Sequence, residues 1–600
     1  MLENRFQLEN QHLNYKKQTL KIFDTFLLVI LLLSSAILSG CDVYDSDTPL
    51  PEKFHLQDGE FEGLGEGRSG MIKLAIIVKN NIITDIKILS QSESKFAQPA
   101  EQQIIDDVLK KQTIEGVDAV SGATLTSQGM LTAIGMAIDA SKGIQQGGSV
   151  TYCDTSCDIV VVGAGGAGLS AATQAASMGA NVIVLEKQGI IGGNTNYATG
   201  GLNAAETSVQ KKQGIVDSKK SHYDDTMAGG YFLNEPSLVE TLVNKAAAAV
   251  EWLISLGADL SNVGQLAGSS QKRAHRPNGG GAIGPHLMAV LSKAVKSENI
   301  SIRTRNTVTA LTENDGKVTG VKVSTPNGTY SIKAKAVIIA TGGFGANLTM
   351  VGQYRPEFKD FNTSNHYGAT GDAFEWVSSH DVPLVHMNQI QIHPTGEVGS
   401  HLLISEAVRG NGAILVNHEG VRFANEMLTR DKLSEAILAQ TGKSAFLIFD
   451  QSVRESLAAI ENYSQQGLLT TAESVSELAQ ALKLPVSSFV ETMNKYREYQ
   501  TTGEDLEYGR NGDEMPRPLT QAPFYAIEVE PVLHHTMGGI KINSKAEVVN
   551  RSGNPVPGLY AAGEVTGGVH GGNRLGGNAV ADIIVFGRVA GESAAGYVRD

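Results

Sequence analysis

Asp158–Val162 (DIVVV) runs straight into GAGGAG, in which Gly163, Gly165 and Gly168 keep a GxGxxG register around Ala164. A second apolar run, NVIVLEK, carries Glu186, 18 residues beyond Gly168. These residue types at this spacing prescribe a chemistry. The glycines allow a tight turn and a close backbone approach to a pyrophosphate, the following helix N-terminus favours its charge, and the distal acid hydrogen-bonds a ribose hydroxyl. A lone glycine motif is weak, but a complete β–α–β unit with the distal acid specifies a dinucleotide. Three more glycine clusters follow: IIGGNTNYATGG at 190–201, VIIATGG at 337–343 and GLYAAGEVTGG at 558–568. One bland loop explains any single cluster, not all of them together.

Two other groups of residues could do chemistry. In DAVSGATLTS, residues 118–127, small residues and a glycine precede a helix. Backbone N–H groups and hydroxyls converging there make a phosphate cradle; the plainer reading is an ordinary Ser/Thr helix cap. His393, Glu406, Arg409, Arg430, His534 and Arg574 are scattered over five polar segments. Taken singly, each histidine reads as a hydrogen-bonded core residue, Arg430-Asp431 as a surface pair, and Glu406 with Arg409 as a helix salt bridge.

The elements that must position these residues follow from the rest of the chain. At 600 residues the length implies three to four domains. With 41% hydrophobic and 19% charged residues the chain is an ordinary globular one, not a disordered or fibrous one. A net charge of −14 argues against nucleic acid as a partner, so any anion site must concentrate positive charge locally. Three cysteines exclude a disulfide scaffold, and none has zinc-ligand or haem-attachment spacing, so no metal site is expected. Cys153 and Cys157 permit either a local disulfide or two unpaired thiols.

The start of the chain carries an address. Arg5, Lys16, Lys17 and Lys21 precede the 13-residue apolar run Phe26–Leu38, too short for a bilayer span and right for a signal h-region. Leu38-Ser39-Gly40-Cys41 resembles the bacterial lipobox, which implies a signal peptide over 1–40, lipidation of Cys41 and an extracytoplasmic protein on the cytoplasmic membrane, periplasmic in a Gram-negative host. A polar tether, 41–54, follows. Residues 55–142 form a small unit, with β-rich runs Ile72–Val78 and Ile82–Leu89 around Asn80-Asn81 predicting a hairpin, and Met130, Ile134 and Ile138 predicting a helix after Ser127. Residues 143–156 are a Gly/Ser/Gln-rich linker.

The 55–142 unit resembles the FMN-binding domain of Na⁺-pumping quinone reductases and of flavin-containing fumarate-reductase relatives. The resemblance rests on Asp118, Ser121, Gly122, Ala123 and Thr124. It implies FMN attached covalently to Thr124 by a flavin transferase. The remainder resembles the flavoprotein subunit of succinate dehydrogenases and fumarate reductases, the soluble flavocytochrome c branch above all. IHPTG (392–396), LLISEAVRGNG (402–412), NEMLTRD (425–431), HHTMGG (534–539) and HGGNRLGGNA (570–579) carry it. The implied fold is α/β: a Rossmann-like FAD-binding domain in two parts, 157–384 and 526–600, with a mobile substrate clamp inserted at 385–525 and the α+β FMN-binding domain in front.

That resemblance implies roles. FAD is held by Gly163, Ala164, Gly165, Gly168, Glu186, Asn194, Thr195, Gly200, Gly201, Asp372, His535, Glu564, Ala579 and Val580. Substrate is held by His534 and Arg574 at one carboxylate and by His393 and Ser405 at the other, with Glu406 close by. Arg430 protonates the substrate carbon, resupplied through Glu406 and Arg409. Asn194 stands where covalent-FAD members have histidine, so FAD is expected to be non-covalent. The expected reaction is fumarate to succinate in anaerobic respiration, with electrons passing from a membrane quinol dehydrogenase or cytochrome through FMN to FAD. The alternatives are another small enoate (urocanate, acrylate or methacrylate), the same site run as a succinate oxidase, and a non-catalytic FMN electron-carrier lipoprotein.

Overall fold

The structure is a computed structural model that describes residues 56–68, 70–91, 93, 97–120, 123–142 and 152–599. The expected signal peptide, the Cys41 lipidation site, the tether, most of the linker, and Ser121 and Gly122 lie outside the described residues, as does the side chain of Thr124.

The first unit is a three-stranded antiparallel sheet, Gly59–Glu66, Met71–Lys79 and Ile82–Ser90, covered by helices Gln98–Lys111 and Thr124–Ser141. The hairpin turns at Asn80 and Asn81, whose φ angles of 51° and 62° are left-handed. Asparagine tolerates that conformation, and a two-residue turn with both residues left-handed matches the strand twist. The second helix starts at Thr124, three residues before Ser127, so Ser127 sits in its first turn, where its hydroxyl accepts the Val120 N–H (3.1 Å). The strand Gly59–Glu66 carries no apolar run in its sequence. Its glycines explain its place: a β-carbon on Gly63 or Gly65 would lie 1.9 Å from the carbonyl oxygen of Ala133 or Gly129, so the helix rests directly on bare backbone.

The second unit is built on parallel strands Pro555–Ala561, Gly328–Ile339, Thr155–Val162, Val182–Leu185 and Ser301–Arg303. One row crosses the sheet through Tyr560, Ile338, Val161, Val184 and Ile302. Four of these are buried, as expected of parallel strands covered on both faces. The helices Gly166–Ser177 and Asn578–Arg599 pack on it. The strand Gly328–Ile339 also pairs antiparallel with Lys317–Thr325 through its first half.

A separate sheet joins Ile390–Glu397, Phe524–Thr536, Ala445–Asp450 and Ile414–Val416 and has its own hydrophobic core. Phe524–Thr536 runs through residue 525, where the clamp was expected to end. Its first part pairs with Ala445–Asp450, and its second part pairs with Ile390–Glu397 and carries His534 and His535. Cys153 and Cys157 are free thiols, and Cys157 donates to the carbonyl of Ile159 (3.3 Å).

The seam in the first unit yields a direct test. Gly65→Val forces the helix off the sheet, an overpacking that costs at least ~1–3 kcal/mol. Hydrogen exchange should accelerate across residues 56–142 while residues 157–599 keep their protection; unchanged exchange would show that the seam is not close-packed.

Candidate active site

The strand–turn–helix at Gly163 opens a cavity that continues to the clamp sheet. Gly163 has φ 105°, outside the range of L side chains. A β-carbon on Gly168 would meet the Gly163 carbonyl oxygen at 1.9 Å, so this glycine sets the helix against the strand and does not face the cavity. A β-carbon on Gly165 would meet nothing nearer than 3.5 Å, and this glycine lines the cavity. The three positions thus divide the work of a pyrophosphate turn.

Glu186 is engaged from behind. Its carboxylate accepts the Ala164 N–H (3.0 Å) and the Gln188 N–H (2.9 Å), while burial pushes its pKa up. Ala164 serves this contact and does not line the cavity. Thr195 accepts the Gly166 N–H at 3.0 Å. Asn194 donates to Asn365 (2.7 Å) and Glu564 (3.3 Å) and accepts the His366 N–H (2.7 Å). Its amide is fully used in orientation and offers no nucleophile. Asp372 pairs with Lys187 at 2.7 Å, a partner that sequence reading missed. Gly200, Gly201, Ala579 and Val580 complete the wall. The open glycine turn, the acid behind it and the length of this wall fit FAD.

At the other end the cavity is lined by His393, Ser405, Glu406, Arg430, His534, His535, Glu564 and Arg574. His393 is buried beside three arginines. Burial, then Arg430, Arg409 and Arg574, keep its imidazole neutral. Its Nδ1 accepts the Thr395 N–H (3.2 Å), so the ring proton is on Nε2, which is buried with no hydrogen-bond partner among the described residues. His393 therefore presents a donor to the cavity. His534 lies 5.2 Å from it, ring to ring, with Nδ1 3.0 Å from the Ser364 hydroxyl, and is held neutral by burial and then Arg430. His535 Nδ1 is 3.5 Å from Glu564, and its Nε2 has no hydrogen-bond partner among the described residues. Ser405 caps the helix Glu406–Gly410 by accepting the Ala407 N–H (3.3 Å), which leaves its O–H free to donate.

The arginines are joined by a residue that sequence reading missed. Gln391 Oε1 accepts from both Arg430 (3.0 Å) and Arg574 (2.9 Å). Gln391 stands two residues before His393 in the same strand, the one local signal that could have found it. Arg430 also donates to Glu406 at 2.6 Å, and Arg409 stands 3.9 Å from the same carboxylate. Burial pushes the Glu406 pKa up, but Arg430, Arg409 and Arg574 outweigh it and hold it at about 2. Burial and then Arg430 push Arg574 down to about 9. Arg409 is pushed down to about 10, by burial first. It does not line the cavity and sits behind Glu406.

Two charge layers result. In the outer one, Arg422 and Arg510 face Glu426 and Asp505 at 2.8–3.0 Å, and Arg510 also holds the Arg409 carbonyl at 2.7 Å. That layer balances. In the inner layer Arg409, Arg430 and Arg574 share Glu406, and the cation is in excess. Such a pocket suits a small anion bearing carboxylates, held at one side by guanidinium and at the other by imidazole and hydroxyl.

The family described as "FAD binding domain" matches residues 158–580, and the family described as "FMN-binding domain" matches residues 67–139. The chain is similar to "Fumarate reductase (cytochrome)" of Shewanella frigidimarina, 48% identical over 445 residues, 74% of this chain and 77% of that one. It is also similar to "Urocanate reductase" of Eggerthella lenta, 34% identical over 560 residues, 89% of this chain and 91% of that one. Among solved structures it resembles the open conformation of a flavocytochrome c3 fumarate reductase, with a TM-score of 0.65, 41% identity, and coverage of 76% of this chain and 81% of that one. The chain therefore belongs to the flavocytochrome c and FAD-dependent fumarate reductase family, flavin oxidoreductases acting on CH–CH groups, and carries an N-terminal FMN-binding domain.

Proposed function

We propose that the chain reduces fumarate to succinate. The observation that carries this reading is the shared acceptor Gln391, which holds two guanidiniums, the partly buried Arg430 and the buried Arg574, over a cavity continuous with the FAD cradle. Two hydrogens are added across the alkene, one as hydride and one as proton. FAD, when bound, supplies the hydride to one carbon. The chain's own residues do the rest. Arg574 and His534 bind one carboxylate; His393 Nε2–H and the Ser405 hydroxyl bind the other. Clamping both ends fixes the alkene in one orientation. The same donors stabilise charge that builds on the carboxylate conjugated to the attacked carbon.

Arg430 donates the proton to the second carbon. A free guanidinium does not deprotonate near neutrality. In this reading it acts only as a relay whose Nε is recharged through Glu406, 2.6 Å away, with Arg409 behind. Electrons arrive from FMN, attached at Thr124 by a flavin transferase and fed by a membrane quinol dehydrogenase or cytochrome. The basic segment, the apolar run and Ser39-Gly40-Cys41 support export and a lipid tether on the outer side of the cytoplasmic membrane, in anaerobic respiration. A second enoate substrate, urocanate, is favoured only by the likeness over 91% of the urocanate reductase.

The test is anaerobic oxidation of reduced methyl viologen by the purified protein with fumarate, urocanate, acrylate and methacrylate in parallel. Fumarate alone should turn over. Preference for another enoate would overturn the assignment of His393 and Ser405. Arg430→Ala should lower turnover by about 10²–10⁴-fold with FAD content unchanged; an active variant would remove Arg430 as the acid. A pH dependence follows from Arg574, which is cationic below about 9 and neutral above it in the free enzyme. kcat/KM for fumarate should fall as pH rises through that value, and Arg574→Gln, already uncharged, should lack this alkaline limb. A limb that persists in Arg574→Gln would assign the titration elsewhere.

A further inference from the structure

After the helix Lys219–Gly229 the chain makes a short loop of unusual conformation. Tyr231 and Phe232 are both left-handed, with φ of 56° each. Two consecutive aromatic residues in that region are strained, since the β-carbon crowds the carbonyl. Neither strain nor exposure is relieved by core packing: Tyr231, Phe232 and Leu233 are 49%, 72% and 49% exposed. Strain of this kind persists where the surroundings over-determine it.

Those surroundings are the substrate-binding segment. Gly230 O accepts the Gly572 N–H at 2.8 Å, Gly229 O accepts from the Asn573 amide at 3.3 Å, and Asn234 donates to Val569 O at 2.9 Å. A β-carbon on Gly572 would stand 3.0 Å from the Tyr231 ring. The loop is thus bolted to the stretch that carries Arg574. On its other side the Tyr231 hydroxyl donates to Asp431, the neighbour of Arg430 in the first turn of the clamp helix Arg430–Leu438. The second oxygen of Asp431 is buried with no hydrogen-bond partner among the described residues. This carboxylate therefore makes one side-chain contact that reaches across to the FAD-binding part, and Tyr231 supplies it. Burial and Asp431 push the Tyr231 hydroxyl up to about 12, so it remains a donor at physiological pH.

We propose that Tyr231 is a positioning residue. By latching Asp431 to the loop that holds the Arg574 segment, it sets Arg430 at its working distance from a substrate anchored on Arg574. Arg430 and Arg574 are then tied twice, directly through Gln391 and indirectly through Asp431, Tyr231 and Gly230. The strained backbone aims the ring, and the hydroxyl makes the tie. This inference rests on the reading of Arg430 as the proton donor.

The test uses the full chain with both flavins bound. Tyr231→Phe removes one oxygen and keeps the ring. It should lower kcat for fumarate between about 10- and 100-fold, keep KM within about twofold, and raise the solvent deuterium isotope effect on kcat, because proton delivery becomes limiting. Asp431→Ala, which removes the acceptor, should behave alike, and the double variant should be no worse than either single one. Hydrogen exchange at residues 428–434 should quicken in Tyr231→Phe without a change in the rest of the clamp. Wild-type kcat and isotope effect, or fully additive losses in the double variant, would overturn the proposal. If neither wild type nor variant reduces any enoate, the reading of Arg430 falls, and exchange at 428–434 still decides the latch: unchanged exchange sinks it.

Discussion

Three guanidiniums, the buried Arg409 and Arg574 and the partly buried Arg430, surround one carboxylate, Glu406. Withdrawing an ion from water costs several kcal/mol even after relaxation. The excess cation is tolerable because the surroundings supply dipoles and shared acceptors, of which Gln391 Oε1 is the clearest. A small dicarboxylate would complete the ion pairs that the chain leaves open. An acidic chain of net charge −14 thereby holds its positive potential inside a cavity instead of on its surface.

Holding that charge in place needs two bodies, because the inner cluster is drawn from both. Arg574 belongs to the stretch before the C-terminal helix; Arg430, Glu406 and Gln391 belong to the clamp side. The strand Phe524–Thr536 spans the difference. It is a central member of the clamp sheet and carries His534 and His535 just before its end at Thr536, so both imidazoles are fixed by the ladder that fixes Gln391 and His393 on the neighbouring strand. The pairing Gln391↔His535 and His393↔Val532 brackets a bulge, which re-aims the side chains between them.

Much of this was legible in sequence where chemistry is local. The GAGGAG turn, the distal acid and the Asn80-Asn81 hairpin announce themselves because each needs particular residues at fixed spacing. The clamp residues were found by the resemblance of five separated segments, not by spacing. Gln391 escaped because its importance lies in two partners, one of them 183 residues away, and a glutamine in a strand carries no signal of that kind. Glu426, Arg422 and Arg510 escaped likewise: a balanced buried ion network reads in sequence as ordinary surface charge. The strand Gly59–Glu66 was missed because its glycines were selected by the helix lying on them, which runs against β-propensity. The start of the helix at Thr124 was placed late because a Thr-Leu-Thr run looks like its cap.

The two charge layers differ in what they can do. The outer one is complete: Glu426 receives both Arg422 and Arg510, and burial is outweighed by those partners, so its carboxyl is held below the usual range. A satisfied buried network rigidifies its neighbourhood, and here the neighbourhood is the Arg409 backbone, gripped by Arg510. The Arg409 head, by contrast, donates one nitrogen to the Glu426 carbonyl and leaves Nε and the Nη that stands 3.9 Å from Glu406 without a hydrogen-bond partner among the described residues. Rigid backbone and unsatisfied head group are the combination a proton relay requires: geometry that does not drift, and hydrogen-bonding capacity that is not already spent. The inner imbalance is sustainable only because the layer behind it is closed.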